Sequence, residues 1–113
     1  MNIVCLRGRL AKEVEVRFTQ SGKAVSNFTI AVNRSTKNDK GEYDADFINC
    51  VVFNKSAEFM QKYTNKGDMI EIVGQLQVSN YQDKDGNSRY KIEVIIDKIE
   101  LISSKKKEDT MPF

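Results

Sequence analysis

Alternation of apolar and polar residues predicts β-strands along most of this chain. Residues 3–6 form an apolar start, and apolar and polar residues alternate from residue 13 to residue 18 and again from residue 27 to residue 32. This pattern predicts one long first strand, bent near Gly8, and a second strand after a short turn. The polar stretch from Asn33 to Tyr43 is too long for a tight hairpin, so it is predicted to form a mobile loop.

The middle of the chain adds a third strand and one helix. The third strand is predicted from Asp46 to Asn54, and both of its faces are apolar. The window from Lys55 to Lys66 has apolar residues at helical spacing and predicts a short helix. Asn54 or Ser56 is placed to cap its start, and Gly67 is placed to end it.

Two further strands, Met69 to Tyr81 and Tyr90 to Ile102, are predicted to form a long hairpin with its tip at Asp85-Gly86.

The resulting order is three strands, a helix and two strands. It matches the five-stranded OB-fold barrel, an all-β fold with one short helix and long hairpin loops, which binds oligonucleotides or oligosaccharides on its second and third strands. Small α+β folds remain an alternative at this point, and a fold does not by itself fix a function.

Length and composition indicate one folded domain. The chain has 113 residues, of which 40% are hydrophobic and 30% charged, so residues 1–102 are sufficient for one core. Residues 103–113 are predicted to be a flexible tail that ends in Met111-Pro112-Phe113. No stretch approaches the roughly 18 apolar residues of a membrane span, and no export signal precedes Arg7. We therefore expect a cytoplasmic protein with no membrane partner.

The residue types needed for common catalytic and metal sites are scarce. The chain has no histidine, the side chain most used for acid–base catalysis and zinc binding near neutral pH. Cys5 and Cys50 lack CxxC spacing and are predicted to be buried, reduced thiols. The four carboxylates between residues 39 and 46 are interpreted as a solvated loop. The sequence therefore predicts no catalytic residue, no metal and no cofactor.

Charge is distributed unevenly along the chain. The net charge is +2, but residues 1–37 contain seven basic and two acidic side chains, whereas residues 38–102 contain eight basic and twelve acidic ones. The tail has a net charge of +1. An ordinary solvated surface and a basic face for a polyanion both fit this asymmetry.

Two aromatic residues of the third strand are candidates for that face. Phe47 and Phe53 share one face of the strand, and the apolar residues between them at positions 48, 50 and 52 share the other. If the latter point into the core, both rings point outward and need a partner. Bases of single-stranded nucleic acid stack on such rings while nearby cations contact the phosphates. Packing against a subunit or a second core layer is the alternative, and Tyr81 is placed to extend the platform.

Longer blocks of this chain resemble bacterial-type single-stranded DNA-binding proteins. Residues 16–34, VRFTQSGKAVSNFTIAVNR, resemble the first half of this family, and its later blocks follow in the same order. Those later blocks are Asp46–Phe53, Lys66-Gly67-Asp68, Gly74-Gln75-Leu76 and Met111-Pro112-Phe113. The resemblance covers residues 1–102 and is to a short form, as a phage-encoded member would be.

The resemblance implies a single-stranded DNA-binding OB-fold protein that acts in DNA replication, recombination and repair. It implies assembly as a homotetramer, with a dimer as the alternative, and recruitment of replication and repair enzymes by the tip residues Met111, Pro112 and Phe113. Partner subunits would cover apolar residues of the last two strands, for which the candidates are Ile70, Ile72, Leu76 and Ile96.

Individual roles follow from matching blocks of the family. Base stacking is implied for Phe47, Phe53 and Tyr81. Phosphate contacts are implied for Arg9, Arg17, Arg34, Lys55 and Lys66. Thr36 lies where many members have a further aromatic residue, so one stacking platform of the family is missing there, and Tyr43 is only a weak candidate to replace it. Residues 77–80, QVSN, replace a stretch that is often rich in Arg or Lys.

Two other functions remain open from the residues. An OB module whose main partner is a protein, as in primosome accessory factors, would have its outward aromatic rings covered. A nuclease or hydrolase on the same fold would need clustered catalytic carboxylates and a metal, and the sequence offers no convincing set. We therefore expect a protein that is not an enzyme.

Overall fold

The computed structural model describes residues 1–103, whose strands close into a barrel. Its elements are β1 (Val4–Leu10), β2 (Arg17–Phe18), β3 (Ala24–Lys37), β4 (Tyr43–Phe53), α1 (Asn54–Tyr63), β5 (Met69–Gln82) and β6 (Ser88–Ser103). The sheet has the order β1-β5-β6-β4-β3-β2, and β1 also pairs with β3, which closes a barrel of five strands. The five-stranded OB-fold predicted from the element order is confirmed.

The core lies inside this barrel and under the helix. Alternate residues of the strands point inward, as the period of two requires, and α1 adds Ala57 and Met60 where it packs on β3 and β4. The largest fully buried apolar side chains are Leu10, Ile30, Val52, Met60, Ile70, Ile72 and Val94. Three of the four residues predicted to meet a partner subunit, Ile70, Ile72 and Ile96, belong to this core, so that prediction is wrong for them.

The first strand is not continuous as predicted. β1 ends at Leu10, and strand pairing returns only for Arg17 and Phe18. Residues 11–16 run beside β3 without a regular ladder of backbone hydrogen bonds. Isolated hydrogen bonds to residues of β3 fix this segment instead. These bonds join Ala11 N to Thr29 O at 2.9 Å and Ser26 Oγ to Glu15 O at 2.7 Å. Val14 enters the core, but Phe18 is exposed, although the simple alternation places both on one face.

The segment predicted to be a mobile loop is a β-hairpin. β3 continues to Lys37 and pairs with Tyr43 at the start of β4. Asn38 stabilises the turn, because its Oδ1 accepts hydrogen bonds from the backbone N–H groups of Lys40 and Glu42 at 2.9 and 3.0 Å. One asparagine thus satisfies the turn backbone locally, and a long polar stretch becomes an ordered hairpin.

Helix α1 lies where predicted but has different ends. It covers Asn54–Tyr63, and its N-cap residue, Phe53, makes no side-chain capping bond. Capping by Asn54 or Ser56 is therefore a wrong prediction. The backbone N–H of Thr64 donates to Met60 O at the other end, and Gly67, with φ of 92°, lies in the following turn. Within residues 1–103, no helix has the length and apolar character needed to span a bilayer.

The long hairpin of β5 and β6 is confirmed, with its turn at Asp85-Gly86. The N–H of Gly86 donates to Asp83 O at 3.0 Å, and Gly86 has φ of 81°. A second glycine, Gly74, lies at a register shift in this ladder. A Cβ atom there would lie 2.1 Å from the carbonyl oxygen of Ile95. The absence of a side chain at Gly74 therefore permits the close approach of β5 to β6.

The two cysteines differ in environment. Cys50 is buried as predicted, and burial, followed by the charge of Glu93, raises the pKa of its thiol to about 12. Cys5 is exposed on β1, so the prediction that it is buried is wrong. Side chains alternate between the two faces of β1, and Cys5 lies on the outward face, between the partly buried Val4 and Leu6.

Cys50 should resist thiol reagents in the folded protein. In a chain with Cys5→Ser, only Cys50 remains, and with a pKa of about 12 about one thiol in ten thousand is ionised at pH 8. We expect no maleimide labelling over hours in native buffer and complete labelling in denaturant, measured by mass spectrometry. Rapid native labelling would contradict the burial of this residue.

Candidate nucleic-acid interface

The outward face of β3 and β4 carries both phenylalanines. Phe47 lies opposite Ala31, and Phe53 lies opposite Val25. The intervening inward positions of β4 are buried or half-buried, whereas Phe47 is 68% exposed and Phe53 is half-buried. The alternation of β4 therefore points both rings away from the barrel core.

Each phenylalanine shares a cross-strand row with an arginine. The two rows are Arg9–Ala31–Phe47, across β1, β3 and β4, and Arg17–Val25–Phe53, across β2, β3 and β4. Directly opposed residues project from the same face, and neighbouring strands lie about 4.8 Å apart. The Cα atoms of the arginine and the phenylalanine in each row are therefore about 10 Å apart. The two rows lie six residues, about 20 Å, apart along β4.

Lys23 completes the second row. Its Nζ lies 4.6 Å from the centroid of the Phe53 ring, which is a cation–π contact. The sequence pattern did not single out this lysine, because it precedes the first residue of β3 and only its spacing of two from Val25 hints at the shared face. A basic group is therefore held directly at the stacking platform.

A third exposed ring lies on the same strand. Tyr43 is 54% exposed, and it lies four residues before Phe47 and so on the same face of β4. Lys37 lies opposite it, with Nζ 5.7 Å from the ring centroid. Thr36 is exposed nearby on β3. Tyr43 and Lys37 repeat the pairing of ring and cation found at Phe53.

A central groove separates the two rows. Its volume is about 460 Å³, and it runs from residues 12–15 across β3 and β4 to residues 91–93 of β6. The floor is polar: Thr29 Oγ1 donates to Asn49 Oδ1 at 3.2 Å, and Asn27 lies beside them. The groove gives the interface a polar middle between two aromatic ends.

Tyr81 lies where this face continues onto the long hairpin. Tyr81 is 51% exposed and lies opposite Arg89 in the hairpin of β5 and β6. On the same face of this hairpin, the next pair toward the barrel is Ser79 and Lys91. Lys91 lines the central groove, so Tyr81 lies about 7 Å, or two residues, farther along the arm. Arg89 Nε donates to Asp83 Oδ2 at 3.0 Å, and with the backbone N–H groups of the turn it lowers the pKa of Asp83.

Two further predicted cations, Lys55 and Lys66, lie near the rows. Lys55 is exposed in the first turn of α1, two residues after Phe53. Arg9 donates from Nη1 to the carbonyl oxygen of Gly67 at 2.9 Å, next to the exposed Lys66. The structure thus brings Arg9 and Lys66 together at the end of the row that contains Phe47.

Arg34 has a different environment from the other predicted phosphate contacts. Its Nη2 donates to Asp46 Oδ1 at 2.9 Å, and its Nε lies 3.2 Å from both carboxylate oxygens. The hydrogen bond and the opposite charge raise the pKa of Arg34 and lower that of Asp46. Asp46 precedes Phe47 and so projects to the other face of β4. Contact between Arg34 and a phosphate would require release from this pair.

Removal of the Asp46 charge should strengthen binding to single-stranded DNA. Asp46→Asn leaves Arg34 without its anionic partner, so the guanidinium becomes available to a phosphate. We expect higher affinity and a slope of log K against log salt that is steeper by about 0.7, the value for one added contact on a single strand. Asp97→Asn removes the same charge from an exposed carboxylate of β6, and it should leave the slope unchanged. Equal slopes for both variants would contradict the expectation.

The three predicted tip residues, Met111, Pro112 and Phe113, lie outside the described residues.

Comparison with known proteins gives consistent matches. A family profile described as "Single-strand binding protein family" matches residues 1–102. "Single-stranded DNA-binding protein 1" of Staphylococcus aureus (strain Mu50 / ATCC 700699) is 46% identical over 110 residues, which cover 97% of this chain and 70% of that protein. "Single-stranded DNA-binding protein" of Enterococcus faecalis (strain ATCC 700802 / V583) is 44% identical over 105 residues, which cover 93% of this chain and 56% of that protein.

Proposed function

Because the chain belongs to the single-strand binding protein family, we propose that it binds single-stranded DNA by base stacking and phosphate contacts across the outward face of β3 and β4. The observation that supports this most directly is the pair of cross-strand rows, each with an exposed or half-exposed ring and an arginine on one face. Phe47, Phe53 and Tyr81 stack bases, and Arg9, Arg17, Lys55 and Lys66 contact phosphates, joined by Arg34 when it leaves Asp46. Stacking on rings accepts every base, so binding tolerates sequence.

Titration by fluorescence polarisation tests this proposal. Labelled oligo(dT), duplex DNA and single-stranded RNA of equal length are compared at two salt concentrations. We expect preferential binding of single-stranded DNA that weakens with salt, because each neutralised phosphate releases counterions. Equal affinity for duplex and single strand would overturn the proposal.

We propose that this binding protects single strands during DNA replication, recombination and repair in the cytoplasm, without catalysis or a cofactor. A primosome-type accessory role, in which a protein covers the face, is the second candidate. The cations aligned with the outward rings, Arg9 in the row of Phe47 and Lys23 over Phe53, favour the nucleic acid as occupant, because a polyanion needs basic groups beside its stacked bases.

We propose further that the protein assembles as a homotetramer. Residues 4–8 of β1 pair with β5 on one side, whereas pairing with β3 begins at Arg9, so one edge of this strand is open to another chain. Exposed apolar side chains surround this edge, among them Ile3 and Val73. Leu76 is the one residue of the predicted apolar set that is exposed.

Light scattering at micromolar concentration should give a mass of about four chains. A mass of two chains would be consistent with pairing of two chains through the open β1 edge, but it would contradict the association of two such dimers into a tetramer. A monomer at all concentrations would contradict assembly altogether.

We also propose that Met111, Pro112 and Phe113 dock replication and repair enzymes through the Phe113 ring and the terminal carboxylate. Calorimetry of the full chain and of a chain that ends at Asp109, each against helicase and exonuclease candidates, tests this role. Identical binding by both chains would remove it.

A further inference from the structure

A further pair of ring and cation lies on α1, away from the outward face of β3 and β4. Within the described residues, a lysine ammonium group lies over each of three aromatic rings. Two of these pairs, at Phe53 and Tyr43, belong to the outward face. The third joins Lys62 Nζ to the ring of Tyr63, with 5.4 Å to the ring centroid. The surface of α1 therefore carries the same combination of π face and cation as the proposed interface.

Tyr63 presents part of its ring to solvent and is supported on the other side. It is 54% exposed, and its ring centroid lies 5.2 Å from that of Phe59, with 40° between the ring planes. Phe59 is partly buried and packs against the core, so it anchors the ring of Tyr63 to the barrel. A ring anchored in this way can accept a stacked base at a small cost in side-chain entropy.

Lysines form a basic strip beside this ring. Lys55 and Lys62 are exposed and lie seven residues, or about two helical turns, apart, so they share one side of α1. Lys66 is exposed three residues after Tyr63, beyond the end of the helix. Residues 54–66 contain these three lysines and one carboxylate, Glu58, so the strip attracts phosphates.

Helix α1 connects the two cross-strand rows. It begins directly after Phe53, the ring of one row. Just beyond its other end, the carbonyl oxygen of Gly67 accepts the hydrogen bond from Arg9, the cation of the other row. A strand of DNA that leaves the outward face at either row therefore meets the basic strip and the ring of Tyr63.

We infer that single-stranded DNA continues from the outward face of β3 and β4 onto α1, where Tyr63 stacks a base and Lys62 contacts a phosphate. This inference rests on the proposed binding of single-stranded DNA to that face. It adds a subsite outside the two rows, which is occupied only by strands long enough to leave the face.

The dependence of affinity on strand length tests this subsite. Oligo(dT) of about 8 and about 16 nucleotides, lengths within the range for one OB fold, are titrated by fluorescence polarisation. Tyr63→Ala should bind the longer strand at least about fivefold more weakly than the unmodified protein, as loss of one stacked base predicts. Its affinity for the shorter strand should be unchanged.

Tyr90→Ala is the matched control. Tyr90 is 66% exposed and lies opposite Asn80, so it projects from the face of the β5–β6 hairpin that does not carry Tyr81. Its loss should leave the affinity for both strands unchanged. An equal loss of affinity in Tyr90→Ala and Tyr63→Ala would contradict a specific role of Tyr63.

The salt dependence tests the contact of Lys62. Lys62→Gln should reduce the slope of log K against log salt for the longer strand by about 0.7, the value for one lost phosphate contact on a single strand. Lys98→Gln removes the same charge from an exposed position of β6, and it should leave the slope unchanged. Equal slopes for both variants would contradict the contact.

Tryptophan fluorescence gives a readout that a merely structural role of Tyr63 would not change. The chain has no tryptophan, so Tyr63→Trp places a single indole at the subsite. We expect its emission to be quenched by the longer strand and not by the shorter one, and the emission of Tyr90→Trp to be unaffected by both. Unchanged emission of Tyr63→Trp when it binds the longer strand would overturn the subsite and leave the proposed function standing. Failure of both strands to bind the unmodified protein would overturn the proposed function itself.

Discussion

Replacement of both Phe47 and Phe53 by alanine is expected to weaken binding to oligo(dT) by about 2–6 kcal/mol, or about 1–3 kcal/mol for each stacked base. Phe47 is 68% exposed, so its truncation removes little from the core. Phe53 is half-buried under Lys23, and its loss also removes the cation–π contact that holds this lysine at the platform. The measurement is fluorescence polarisation at a fixed salt concentration.

Phe18→Ala is the matched control for this double variant. Phe18 is 67% exposed, but it lies opposite Ala24, next to Arg17, and so projects to the other face of the sheet. Its loss should leave the affinity unchanged. Equal affinities for the folded double variant and the unmodified protein would contradict the placement of the stacking platforms, as would an equal loss in Phe18→Ala.

Gly74→Ala is expected to lower the free energy of unfolding by about 3 kcal/mol, at the upper end of the usual cost of overpacking. The added Cβ would lie 2.1 Å from the carbonyl oxygen of Ile95 and 2.9 Å from its carbonyl carbon. Both atoms are backbone in the β5–β6 ladder and cannot rotate away. The ladder must open at its register shift, which urea denaturation followed by circular dichroism would detect.

Gly22→Ala separates this contact from a general effect of glycine replacement. Gly22 has φ of 85°, and, apart from its two chain neighbours, no described residue has an atom within 4 Å of the position of an added Cβ. The left-handed backbone should cost only about 1 kcal/mol. If both variants lost equal stability, the close approach at Gly74 would not be the cause.

Local pattern was sufficient for much of the fold. The alternation in β4 and the turn residues Asp85-Gly86 depend on neighbours in the chain, and those predictions hold in the structure. The ends of α1 and the hairpin after Lys37 were predicted incorrectly. Hydrogen bonds decided the outcome in both places. At the start of α1, neither Asn54 nor Ser56 makes the predicted capping bond. In the hairpin, Asn38 accepts hydrogen bonds from the turn backbone and orders it.

The sequence by itself determined which side chains of each strand share a face, since a period of two is a property of the extended backbone. It therefore placed Phe47 and Phe53 outward together. Only the tertiary structure decided which cations join them. The register of β3 with β1 and β2 aligns Arg9 with one ring and Arg17 with the other, while Arg34 is paired with Asp46. These partners are distant in sequence, and barrel closure sets their alignment, so no local pattern encodes it.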